Sequence, residues 1–230
     1  MNAGSSFLRS SIGKKVVMAL SGVVLFGFVI GHMLGNLQVY AGPTAINTYA
    51  ESLRKVPALL WAARTTLLVA VGLHIWAAVS LTALNQRARP VGYREKGHRE
   101  STYASRTMRW TGVFLLVFIV YHLLHFTWGS VHPSFVHGDV YHNVVAGFRV
   151  TLVSAFYIAA MLALGLHLYH GVWSMMHTLG FSHPRYDPLR YRVAAAVTAV
   201  VVIANVSFPV AVMAGWLRER PTSAATHASR

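Results

Sequence analysis

Residues 16–40 read VVMALSGVVLFGFVIGHMLGNLQVY, without one charged side chain and with a single histidine, His32, towards the far end. A helix needs about 20 apolar residues to cross the hydrocarbon of a bilayer, and this run exceeds that. Four more runs of comparable length follow, at roughly 58–85, 108–129, 149–178 and 193–217. The pattern predicts an all-α integral membrane protein with five transmembrane helices. Gly and Pro inside the runs are compatible with membrane helices, and Pro209 is expected to kink the fifth.

Composition agrees. Of the 230 residues 55% are hydrophobic and 11% are charged, with a mean hydropathy of +0.48. A soluble domain usually carries roughly twice that charged fraction. The net charge of +14, from 20 Lys and Arg against 6 Asp and Glu, lies mostly between the apolar runs. There it orients helices and meets anionic lipid or a partner. No basic groove with interleaved aromatics is present, which argues against nucleic acid. The absence of cysteine excludes disulfides and iron–sulfur ligation by this chain. No cleavable signal is predicted: the first run follows Arg9, Lys14 and Lys15, is too long for a signal core, and ends in Tyr40-Ala41-Gly42-Pro43. Residues 1–217 read as one transmembrane domain and 218–230 as a polar tail. Residues 41–57 and 130–148 read as outer loops, the second broken by Pro133 and Gly138. No internal repeat is obvious.

Positive charge sets the orientation. The N-terminus carries Arg9, Lys14 and Lys15; the second connection carries Arg87, Arg89, Arg94, Lys96, Arg99 and Arg106, with Arg109 at the edge of the third run; the fourth carries Arg185, Arg190 and Arg192. These segments share one side in a five-span chain, and the positive-inside rule makes that side cytoplasmic. The N-terminus is then inside and the C-terminal tail, with Arg218, Arg220 and Arg230, outside.

The anomaly is histidine, with thirteen in the chain. His32, His74, His122, His125, His167 and His170 all lie inside apolar runs. A polar side chain at that depth is costly and faces the bundle interior, either in an interhelical hydrogen bond or at a functional site. One in each of four successive helices favours the functional site. At about 1.5 Å rise per residue, His32 lies roughly 25 Å, His122 roughly 20 Å, His74 roughly 17 Å and His167 roughly 16 Å from the cytoplasmic ends of their helices. The first and third helices thus place histidines nearer the outside, the second and fourth nearer the cytoplasm. Two layers of paired histidines suit two stacked bis-histidine haems. Gly31, Gly35, Gly72, Gly165 and Gly171 flank these histidines, giving either low relief beside a broad plate or close helix packing. Depth does not choose between His122 and His125, or between His167 and His170, each pair being one turn apart.

Gly13-Lys14-Lys15-Val16-Val17-Met18-Ala19-Leu20-Ser21-Gly22, followed by Gly31-His32-Met33-Leu34-Gly35-Asn36-Leu37, resembles the first helix of the single-chain di-haem cytochrome b subunit of succinate dehydrogenase and fumarate reductase. Arg109-Trp110-Thr111-Gly112 leading to Tyr121-His122 resembles its third helix. Gly165-Leu166-His167 leading to Gly171-Val172-Trp173 resembles its fourth, and Leu73-His74 its second. The resemblance spans roughly residues 11–215. It implies His32 and His122 as axial ligands of a distal haem b, and His74 and His167 as those of a proximal one. His125 and His170 become supporting or packing residues.

The resemblance further implies a flavoprotein and an iron–sulfur subunit on the cytoplasmic face. Electrons then pass between the iron–sulfur chain, the haems and a membrane quinone, often menaquinone. The chain itself has no dinucleotide fingerprint or nucleophile triad, so it does not oxidise succinate alone. Haem propionates need cationic or hydrogen-bonding partners. Arg64 and Arg149 near the outer ends are candidates for the distal haem, with snorkelling to headgroups as the alternative. Ser21, Arg109 and His177 are candidates for proximal propionates or a quinone, with Trp110 beside them. None of the acidic residues Glu51, Glu95, Glu100, Asp139, Asp187 and Glu219 lies within a run. Some relatives carry a glutamate two residues before the fourth-helix ligand, where this chain has Gly165, so no carboxylate proton path is expected. Alternatives are a haem b subunit of a hydrogenase or formate dehydrogenase, and a haem-free proton-coupled transporter.

Overall fold

The computed structural model describes residues 7–88, 103–181 and 183–219. Among the charged residues used for orientation, Arg89, Arg94, Lys96, Arg99, Arg220 and Arg230 lie outside the described residues, as do Glu95 and Glu100. Among the described residues the main α-helices are α1 (Ser11–Asn36), α2 (Pro43–Arg54), α3 (Pro57–Arg87), α4 (Tyr103–His122), α5 (Val140–Arg149), α6 (Thr151–Thr178) and α7 (Asp187–Met213). Among the described residues there is no strand. Five helical segments are long and apolar enough to cross a membrane: α1 with the 3₁₀ turn Leu37–Ala41, α3, α4 with the π turn Leu123–Thr127, α6, and α7. They match the five runs read from sequence.

Local chemistry sets the boundaries. Ser10 caps α1 by accepting from the Gly13 amide at 2.9 Å. The two expected outer loops each contain a helix instead. Pro43 stands at the first position of α2, where its missing N–H costs nothing, and Gly42 takes the positive φ of 100° that turns the chain into it. The Gly42-Pro43 pair at the head of the expected loop 41–57 starts a helix. Asp139 caps α5, its Oδ1 accepting from the His142 amide at 3.0 Å. Asn47 ties the two helices together, donating to Asp139 Oδ1 and accepting from the Tyr141 amide, both at 3.0 Å. Val39, Ile46, Val145, Phe148 and Phe208 bury the junction between these outer helices and the bundle.

Within the bundle α1 packs along α3 and α6, α4 along α6, and α6 along α7. The outward surface is apolar, with Leu68, Leu152 and Ile203 at least 70% exposed, as lipid-facing positions are. Pro209 is buried within α7. Gly35 and Gly165 serve close packing: a Cβ there would stand 2.6 Å from the Tyr49 hydroxyl and 2.8 Å from Val202 Cγ2. Gly31, Gly72 and Gly171 face open space.

Candidate functional site

The histidines named from sequence meet in two pairs. His32 of α1 and His122 of α4 stand with ring centroids 5.8 Å apart, edge to face. His74 of α3 and His167 of α6 stand 6.2 Å apart. Neither α1 with α4 nor α3 with α6 is a main packing pair. The rings therefore reach towards each other across the bundle's diagonals. All four keep accessible surface although they lie deep in their helices, whereas His125 is 0% exposed.

Hydroxyl groups stand behind three of these rings, those of His74, His167 and His122. Ser21 Oγ lies 3.2 Å from His74 Nδ1, but its one hydrogen goes to the Val17 carbonyl at 2.7 Å. The hydroxyl must then accept, so His74 Nδ1 carries the proton and Nε2 keeps its lone pair. Thr111 repeats the arrangement, with Oγ1 3.3 Å from His167 Nδ1 and 3.1 Å from the Thr107 and Met108 carbonyls. With the hydroxyls donating to their own helices, His74 and His167 can each offer a lone pair at Nε2, the form a metal takes. Tyr157 serves the outer layer: its hydroxyl lies 3.3 Å from His122 Nδ1 and 3.0 Å from His125 Nδ1.

A register escapes a reading of the runs one at a time. Ser21-Gly22 precedes His32 as Thr111-Gly112 precedes His122, with the same eleven-residue interval. Gly72-Leu73-His74 and Gly165-Leu166-His167 repeat a Gly-Leu-His triplet. A Cβ on Gly22 would lie 3.7 Å from His74 Cε1, and one on Gly112 3.8 Å from His167 Cε1. Eleven residues make three turns, so hydroxyl and histidine share a face and sit about 16 Å apart along the axis. That interval separates the two layers. The α1–α3 and α4–α6 pairs thus carry the same two motifs at matching places.

The remaining sequence candidates fall elsewhere. Arg64 is exposed and lies over the exposed Trp61, 5.1 Å from its ring centroid. Arg149 ends α5, outside the fourth span that begins at Thr151, and pairs with Glu219 at 3.4 Å. Glu219 also meets His142 Nδ1 at 2.8 Å, clasping the chain's last described residue to α5. Arg109 and Trp110 are exposed, and His177 is exposed beside Trp173. Glu51 lines a surface cavity of about 520 Å³ with Asn47 and Arg54, and pairs with Lys55 at 3.2 Å.

The family model for the succinate dehydrogenase/fumarate reductase transmembrane subunit matches residues 85–207, more than half of the chain. The chain belongs to that family. This subunit of succinate dehydrogenase or fumarate reductase is a multi-pass membrane protein. The matched residues include His122 and His167 with the whole of α4 to α6, while His32 and His74 precede them. No curated protein and no solved structure matches the chain.

Proposed function

We propose that the subunit anchors its complex in the membrane and carries electrons through two b haems, an outer one on His32 and His122 and an inner one on His74 and His167. The carrying observation is the ring separation. A metal–imidazole bond is about 2 Å and the ring centre lies about 1 Å further, so one iron between two imidazoles sets their centroids about 6 Å apart. The pairs at 5.8 and 6.2 Å fit that gap, and the hydroxyls behind His74 and His167 leave Nε2 free to fill it. Gly31 and Gly72 leave open space near the histidines, which suits a broad planar group.

The bound haems supply one-electron carriage between the two sides of the bilayer. The chain's own residues hold the ligands, fix their tautomers and surround them with apolar helices that exclude water. At the cytoplasmic side the family implies catalytic partners, which we take to be a flavoprotein and an iron–sulfur subunit. A membrane quinone, menaquinone in our reading, is the other electron partner. The N-terminus lies in the cytoplasm and the C-terminus outside, in the inner (plasma) membrane.

The test is haem content. The purified complex is expected to show a reduced-minus-oxidised b band and two haems per copy of this chain. Alanine at His32 or His122 removes one haem, and alanine at His74 or His167 removes the other. A complex with no b band refutes the reading.

A further inference from the structure

The phenol of Tyr157 is shared between two histidines and has one hydrogen to give. Its side chain is buried, with the residue 6% exposed. Two hydrogen-bond directions are possible along His122–Tyr157–His125. In one, His122 Nδ1–H donates to the phenol oxygen and the phenol O–H donates to His125 Nδ1. His122 then offers a lone pair at Nε2, and His125 carries its proton at its own Nε2, which is buried without a partner among the described residues, a cost that ligation by His122 has to offset. In the other, the chain runs backwards, and His125 offers the Nε2 lone pair while His122 does not. A phenol accepting from both rings would leave its own O–H buried without an acceptor, which is costly. The phenol's hydrogen therefore decides which member of the close pair is able to ligate.

Geometry separates the two members. His122 faces His32 across the diagonal. His125 is walled in: its ring stacks on His132 at 4.7 Å and on Tyr121 at 5.5 Å. A Cβ on Gly147 would stand 2.8 Å from its Cε1 and 3.1 Å from its Nε2. No plate fits there. His132 is held in place by its own bonds, to the Asn143 carbonyl at 2.8 Å and from the Ser134 amide at 3.0 Å.

We infer that His125 is a positioning residue that sets the ligating tautomer of His122 by accepting the hydrogen of Tyr157. This rests on the haem reading above. Without that acceptor the phenol turns its hydrogen on His122 Nδ1 and opposes ligation through Nε2. A supporting hydrogen bond of this kind is worth about 10–100-fold in metal affinity.

The experiment compares wild type, His125→Phe, Tyr157→Phe and the double variant in the whole purified complex. Transfer of haem to an excess of a scavenging apoprotein is followed, with the midpoint potential of each b haem. His125→Phe is expected to weaken retention of the outer haem by about 10–100-fold while the inner haem is unchanged. In the Tyr157→Phe background the opposing donor is absent, so adding His125→Phe is expected to change outer-haem retention no further than Tyr157→Phe alone does. A packing role predicts that His125→Phe weakens retention by the same factor in both backgrounds, and that result overturns the inference. So does full outer-haem retention in His125→Phe. Wild-type complex without haem instead overturns the underlying reading, which keeps the two failures apart.

Discussion

Ser21 and Thr111 each have one hydrogen, and a carbonyl of their own helix holds it. Their value to the neighbouring histidine is therefore as acceptors only. Ser21→Ala leaves His74 Nδ1–H without that partner, and Thr111→Ala does the same to His167. Each is expected to lower inner-haem affinity by about 10–100-fold, read by haem quantification and redox titration, with the outer haem unmoved. Ser21→Thr keeps the acceptor and is expected to behave as wild type. Ser21 stood out in the sequence, but as a contact for propionates or quinone; its place behind His74 depends on how α1 meets α3. Thr111 sat in a motif without a role, and Tyr157 is one tyrosine in an apolar run with nothing to mark it. The six deep histidines were legible because a polar group at membrane depth is expensive wherever it stands, while the choice of four among them came only from the resemblance. What orients them was not, because it lies on other helices.

The helices themselves were legible to within a few residues, since hydropathy alone sets them. The spacing between layers was not. Counting from helix ends puts His32 only about 8 Å further out than His74, because helices start at different heights. The shared interval from hydroxyl to histidine needs no such reference and gives about 16 Å. The outer helices α2 and α5 were missed because Pro43 and Asp139 start helices as readily as they mark loops. Packing between elements offers its own test. Gly165→Val sets a Cβ 2.8 Å from Val202 Cγ2 and pushes α6 from α7, at an expected cost of about 1–3 kcal/mol. Gly171→Ala enters open space and is expected to cost little. Thermal unfolding of the complex distinguishes them, and equal melting temperatures would refute the packing role of Gly165.

For the whole molecule, orientation was inferred from charge, much of it on residues outside the described set. The absence of cysteine makes a clean check possible. Val136→Cys, in the connection between α4 and α5, and Phe181→Cys, between α6 and α7, are both exposed sites. In intact cells an impermeant thiol reagent is expected to label the first and spare the second; the opposite pattern inverts the topology. The matching α1–α3 and α4–α6 pairs have one more consequence. Under the proposed ligation each pair would give one ligand to each haem, and each lends its hydroxyl to a histidine on its own second helix. A chain cut between α3 and α4 would be two incomplete sockets, neither able to grip a haem. Expressed together, the halves are expected to recover both b bands, and expressed apart, neither. The cofactors would then act as the rivets that join two pieces into one subunit.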